Sequence, residues 1–174
     1  MKTFLKIIGI IVLLAIVYAL VAVLAFSKEY HYEKSVVIKA PKEKVWQYVG
    51  SLKGYNMWDP FSKEIRDISI TYSGDGDKVG DSYHWKGDEN EGEQTITGIV
   101  PNEKMMTNLR FIQPFEGNAK VVFTLTPEGN GTKVTWAIDN ELNNMMKIMK
   151  PMMNSNMDKM FGQGLEDLKK LSEK

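Results

Sequence analysis

NNMMKIMKPMMNSNMDKMFGQGLEDLKKL, residues 143–171, decides how the chain is built. From Pro151 onward its apolar side chains recur at helical spacing: Met153, Met157, Met160, Phe161, Leu165, Leu168 and Leu171. Steps of three and four place them on one stripe, with Asp158, Lys159, Glu166, Asp167, Lys169 and Lys170 mostly on the other side. Pro151 fits if it opens the helix, where its missing N–H is no loss. Residues 32–140 read as strands, apart from one short helical region. One long amphipathic helix beside so many strands predicts an α+β fold, a curved antiparallel sheet wrapped around the long C-terminal helix. Seven of the eleven methionines lie between Met145 and Met160. Methionine is unbranched and polarizable, so it fills irregular space and repacks around varied apolar partners.

Working back from that helix, apolar and polar residues alternate. Residues 119–126 set Val121, Phe123 and Leu125 against Lys120, Thr124 and Thr126, and residues 132–138 turn Val134, Trp136 and Ile138 inward. Residues 81–86 alternate Tyr83 and Trp85 with Ser82, His84 and Lys86. Further strands are predicted at 32–39, 65–72, 93–100 and 105–112, with turns rich in Gly, Asp, Asn and Pro between them. Pro41 opens a helix over 42–49 with Val45, Trp46 and Val49 inside. Residues 50–54 break it, and 55–61 read as a loop or one short helical turn. Gly162 and Gly164 sit inside the C-terminal helix at a cost of about 1 kcal/mol each. They imply close approach to a strand or to the Trp46 helix, or a kink.

The N-terminus is of another kind. Residues 7–26 form an uncharged, overwhelmingly apolar run of twenty. That is the length of a membrane-spanning helix, and it exceeds a secretory signal core of about 7–15 residues. Val23-Leu24-Ala25 is a weak cleavage site, so a removed signal peptide is the alternative. The expected organisation is an anchor at 1–27, a polar linker at 28–31 and a single folded domain at 32–174. Lys2 and Lys6 precede the span. Positive charge on the cytoplasmic side then predicts a single-pass protein with its soluble domain on the extracytoplasmic side.

Lys and Arg number 22, as do Asp and Glu, so net charge is zero and nothing points to nucleic acid. Without the anchor, 20 basic residues face 22 acidic ones, so the domain is not drawn electrostatically to an anionic surface. There is no cysteine, which excludes disulfides, thiolate metal sites and a cysteine nucleophile.

VVIKAPKEKVWQYVGSLKGYNMWDPFS, residues 36–62, resembles the opening of the START-like superfamily, also called SRPBCC or polyketide cyclase/dehydrase. Ala40-Pro41, Val45-Trp46 and Trp58-Asp59-Pro60 carry the likeness, and Gly80, Trp85, Gly92, Pro101-Asn102 and Phe111 continue it. GTKVTWAID and the tail with Gly164-Leu165 and Leu168-Lys169 extend it over residues 32–172. The resemblance implies a helix-grip fold with an apolar cavity between sheet and helix. Its members span carriers, enzymes and chaperone regulators, so function does not follow from the fold.

The inward set expected to meet a ligand is Trp58, Phe61, Tyr83, Trp85, Leu109, Phe111, Val121, Phe123, Trp136, Met153, Met157, Met160 and Phe161. An aromatic wall facing a Met-lined helix suits a flat or flexible apolar molecule. The same residues also make an ordinary core. Arg110 and His84 alternate with inward residues and should face solvent. No nucleophile signature is present, so no catalytic residue is expected. Asp75, Asp77 and Asp81 lack the spacing of a calcium loop, two distant histidines do not make a zinc site, and neither metal nor cofactor is expected. The expected partners are a small hydrophobic ligand (a lipid, quinone or isoprenoid) and the membrane, through residues 7–26. A cyclase-, dehydratase- or hydrolase-type enzyme and a ligand-free interaction module are the other readings. No protein partner is identified.

Overall fold

Period-two burial along the chain assembles one seven-stranded sheet. The computed structural model of the protein describes residues 2–174. Its strands are β1 (Glu29–Ile38), β2 (Ser69–Ser73), β3 (Ser82–Lys86), β4 (Glu91–Val100), β5 (Lys104–Gln113), β6 (Gly117–Glu128) and β7 (Gly131–Glu141). All neighbours pair antiparallel, in the order β1-β7-β6-β5-β4-β3-β2. On β7, Thr132, Val134, Trp136 and Ile138 are buried while the residues between them are not. Two register shifts in β4, at Glu91/Gly92 and Ile96/Gly98, bend the sheet as bulges do.

The concave face holds α5 (Asn144–Ser172). Phe161 of α5 lies flat on Trp136, ring centroids 4.0 Å apart and 13° from parallel. Leu165 and Leu168 continue the stripe, all three at most 2 % exposed. Each such burial stabilises the seat by roughly 1.5–3 kcal/mol before entropy is counted. Gly164 explains the close approach: a Cβ there would stand 2.9 Å from both Pro60 Cδ and Trp136 Cζ3. At Gly162 it would meet only the flexible end of Lys34.

Four boundaries differ from expectation, each for a local reason. Helix α5 starts at Asn144, where the Asn143 side chain accepts the Met146 N–H, so Pro151 lies inside the helix instead of opening it. Residues 50–61, read as a break followed by a loop or one short helical turn, instead contribute to two short helices, α3 (Leu52–Asn56) and α4 (Pro60–Glu64), after α2 (Lys42–Val49). Ser51 caps α3 by accepting the Gly54 N–H, and Asp59 caps α4 ahead of Pro60. The strand expected at 65–72 begins only at Ser69, because residues 65–68 turn the chain through Asp67 at φ 50°, which leaves β2 five residues long. Most of the expected linker is strand: Glu29, Tyr30 and His31 pair with Glu141, Asn140 and Asp139 of β7.

His31 Nδ1 lies 2.7 Å from Asp139 Oδ1 across that pair. The hydrogen bond to Asp139 is the main cause of an imidazole pKa raised above 6.5, with Glu33 adding to it. A raised folded pKa means the bond contributes fully below the unfolded value of about 6.5 and is lost as pH rises through the folded value. The pair is half exposed, so the contribution stays below about 1 kcal/mol. An NMR titration should place the His31 midpoint above 6.5, and Asp139→Asn should bring it down.

Helix α1 (Lys2–Ala25) carries 23 residues, Thr3–Ala25, long and apolar enough to cross a membrane, and only 6 % of its most apolar window is buried against the rest of the chain. Its last turns pack on the first turns of α5, bonded at Tyr18 and Val23, and Ala22 between them is fully buried. The end of this candidate membrane-spanning helix is gripped by the domain.

Candidate ligand cavity

Asp59 organises the wall nearest α5. It is 3 % exposed and accepts from the Phe61 and Ser62 N–H groups at 3.1 Å, from the Ser62 hydroxyl, and from Tyr55 Oη at 2.9 Å. These four bonds fix α4 and aim Phe61 inward. Burial, and secondarily Asp59, push the Tyr55 phenol well above 10; burial, then Asp59 and Tyr72, do the same for Tyr83. Both phenols therefore stay protonated donors. Tyr83 Oη donates to Gln94 Oε1 at 3.0 Å, and Gln94 Nε2 donates to Thr107 Oγ1 at 2.7 Å.

On the opposite flank Tyr32 steers α5. Its hydroxyl donates to Asp158 at 2.9 Å, and its ring meets Phe161 edge-on at 5.2 Å. Burial first, and then the bond to Asp158, raise its pKa to about 12. Trp85 lies over Gly92, where a Cβ would collide with the indole, and its Nε1–H donates to Asn90 Oδ1 at 2.8 Å.

Between sheet, α4 and α5 these side chains leave a cavity of about 380 Å³. Phe61, Tyr83, Trp85, Leu109, Phe111, Val121, Trp136, Met157 and Phe161 all lie on its wall. Four residues expected there do not. Trp58 and Phe123 are fully buried beneath it, their rings 5.3 and 5.5 Å from Trp136. Met160 is buried off the wall, and Met153 is half-buried a turn before Met157. Sequence reasoning missed Tyr55, Asp59, Ser62, Glu64, Ile65, Asn90 and Gln94, and it turned Ile138 inward without setting it against the ligand. Gln94 was findable, since Gly92, Gln94 and Ile96 alternate inward on β4. The α4 residues follow from the Asp-Pro cap signal at 59–60.

The polar groups of the wall satisfy one another, with one exception. The Trp136 indole N–H, sealed from both solvent and cavity, has no acceptor among the described residues. Arg110 is exposed, and His84 pairs with Glu91 at 2.9 Å on the outer face. Asp81 is occupied by the turn before β3, where it accepts the N–H groups of Gly76, Asp77 and Lys78. A broader, open depression of about 830 Å³ at the β1–β7–β6 end is lined by polar and charged residues such as Glu29, His31, Lys120 and Asp139, and suits no apolar guest.

The comparisons agree with this architecture. A solution structure from Thermobifida fusca superimposes with a TM-score of 0.66 at 19 % identity, over 82 % of this chain and 92 % of that one. A crystal structure from Chromobacterium violaceum gives 0.61 at 17 % identity, over 83 % and 97 %. The Aha1 dimer from Colwellia psychrerythraea gives 0.55 at 20 % identity, over 83 % and 96 %. At these identities the likeness is one of fold. No curated protein matches the sequence. Residues 30–173 match the family model described as polyketide cyclase / dehydrase and lipid transport, and the chain belongs to that family.

Proposed function

We propose that the protein is a membrane-anchored carrier or binding protein for a small hydrophobic ligand, a lipid, quinone or isoprenoid, held between the sheet and α5. The observation that carries this reading is the cavity itself: an apolar, aromatic-walled space of about 380 Å³ beside a membrane-attaching helix. It is at the small end of ligand pockets, so it suits a single chain or a ring-bearing head rather than a two-chain lipid. The anchor keeps that cavity where such molecules reside and raises their effective concentration. Lys2 and Lys6 ahead of the span favour a single pass with the domain on the extracytoplasmic side.

An enzyme reading needs an acid or base free to act on the guest. Of the carboxyl groups on the wall, Asp59 already accepts four hydrogen bonds and Glu64 pairs with Lys159 at 3.5 Å.

The test is denaturing extraction and mass spectrometry on residues 28–174 purified without detergent. One stoichiometric apolar molecule is expected, and a protein empty across preparations and across a lipid and quinone panel would end the reading.

A further inference from the structure

The first turns of α5 carry a second apolar surface that the cavity does not use. Met145, Met149 and Met152 are 66, 39 and 60 % exposed. Their spacing of four and three residues puts them on one outward stripe. The stripe stops abruptly: Asn154, Ser155, Asn156 and Lys159, exposed farther along the same helix, are polar.

This apolar stretch is the part of α5 that touches α1. Tyr18 Oη donates to the Ile148 carbonyl at 2.8 Å. Lys147 Nζ donates to the Val23 carbonyl at 3.0 Å, and Lys147 is only 6 % exposed. The last turn of α1 contains no basic residue of its own, so Lys147 supplies the positive charge that a helix C-terminus favours. Lys150 Nζ stands 5.9 Å over the rings of both Phe26 and Tyr30. Both lysines thus reach toward the end of α1 and away from its middle, as lysines do at a membrane surface.

Depth follows from geometry. Tyr18 precedes the end of α1 by seven residues, about 10 Å of helix. A chain segment bonded at that level beside a spanning helix lies within the headgroup and upper acyl layer. The register brings a third apolar group to the same end of the molecule. The β5–β6 turn holds Phe115, 82 % exposed, and lies at the sheet end where β1 begins and β7 finishes. Asn90 and Phe111 of the cavity wall belong to that end too.

We propose that the first turns of α5 and the β5–β6 hairpin, flanking the polar depression of this end, form a bilayer-docking surface. Met145, Met149 and Met152 lie in the lipid interface alongside α1, Phe115 dips in from the hairpin, and the cavity opens toward lipid. The occupant is bilayer rather than a second copy or a protein partner, because the stripe continues the apolar surface of the spanning helix at its own depth. The proposal rests on α1 crossing the membrane and on no particular cargo.

The chain has no cysteine, so single labels can be placed without a background variant. Full-length Met145→Cys, Met149→Cys, Met152→Cys and Phe115→Cys, each carrying an environment-sensitive fluorophore, would be reconstituted in phosphatidylcholine vesicles containing doxyl-labelled lipid. All four sites are exposed, so the label displaces no packing. Leu13→Cys marks the bilayer and Gln163→Cys marks solvent. Emission at 145, 149, 152 and 115 should be blue-shifted and quenched by the doxyl lipid, as at 13, while 163 stays unquenched. Solvent-like emission at the methionine sites with quenching at 13 would overturn the proposal, as would cross-linking between copies through 149 and 152 without quenching. Loss of quenching at 13 as well would remove the spanning helix and the docking surface together. Quenching at the methionine sites in a protein that takes up no cargo would uphold the docking surface and count only against the carrier reading.

Discussion

Gly164→Leu should unseat α5 and cost about 3 kcal/mol, read as a fall in the urea midpoint with little change in slope. The new Cβ would meet Pro60 Cδ and Trp136 Cζ3 at 2.9 Å, and neither can swing aside. Pro60 opens a helix clamped by Asp59, and Trp136 is wedged between Phe161 and the rings of Tyr55, Trp58 and Phe123. Helix α5 must therefore lift, and the stacked Phe161 goes with it. Gly164→Ala separates the two opposing effects of a side chain there. It gains up to about 1 kcal/mol of helix propensity and still meets the clash, so a net loss is expected. Gly162→Ala, where only the Lys34 ammonium stands in the way, should be neutral or stabilising. Equal effects at the two glycines would contradict this packing.

Asp59→Ala should be nearly as damaging, about 3 kcal/mol. Loss of the α4 cap accounts for about 1 kcal/mol of it. The rest comes from Tyr55, whose fully buried hydroxyl would be left without its only partner, at about 1–3 kcal/mol. Asp59→Asn retains an acceptor for both and should lose far less. Adding Tyr55→Phe to Asp59→Ala removes the stranded hydroxyl and should recover 1 kcal/mol or more. That non-additivity is what a shared hydrogen bond produces. Because Phe61 rides on α4, ligand uptake should fall with Asp59→Ala even below the unfolding midpoint.

Much of this was legible in the chain because burial on a strand has period two. Trp136, Phe111, Tyr83 and Trp85 could be turned inward without any knowledge of their neighbours, and the stripe from Met157 to Leu168 found its sheet. What escaped depends on partners. Residues 50–64 contain two capped helices of five residues each, too short for periodicity to register, although Ser51 and Asp59 announce them. Gln94 went unread because a polar side chain was not expected to face inward. The methionines look alike in sequence and divide in space: Met157 on the cavity, Met160 in the packing, Met145, Met149 and Met152 outside. No spacing rule distinguishes them, since the division is set by where α5 overhangs the sheet and meets α1. Lys147 is the clearest case. Read alone it is a surface lysine, and only the end of another helix, 124 residues earlier, gives it a role.

The position of β1 has a consequence for synthesis. It is an edge strand whose only hydrogen-bonded neighbour is β7, with Glu29 opposite Glu141. During translation β1 emerges more than a hundred residues before the strand that completes it. At ordinary elongation rates that interval is on the order of ten seconds. Throughout it, a nascent strand ending in Val36-Val37-Ile38 waits just beyond α1 with both edges open. Its charged positions, Glu29, Glu33 and Lys34, are the kind that discourage illicit strand pairing. Folding is then gated by the ribosome: the sheet cannot close on its first strand until nearly the whole domain has been made.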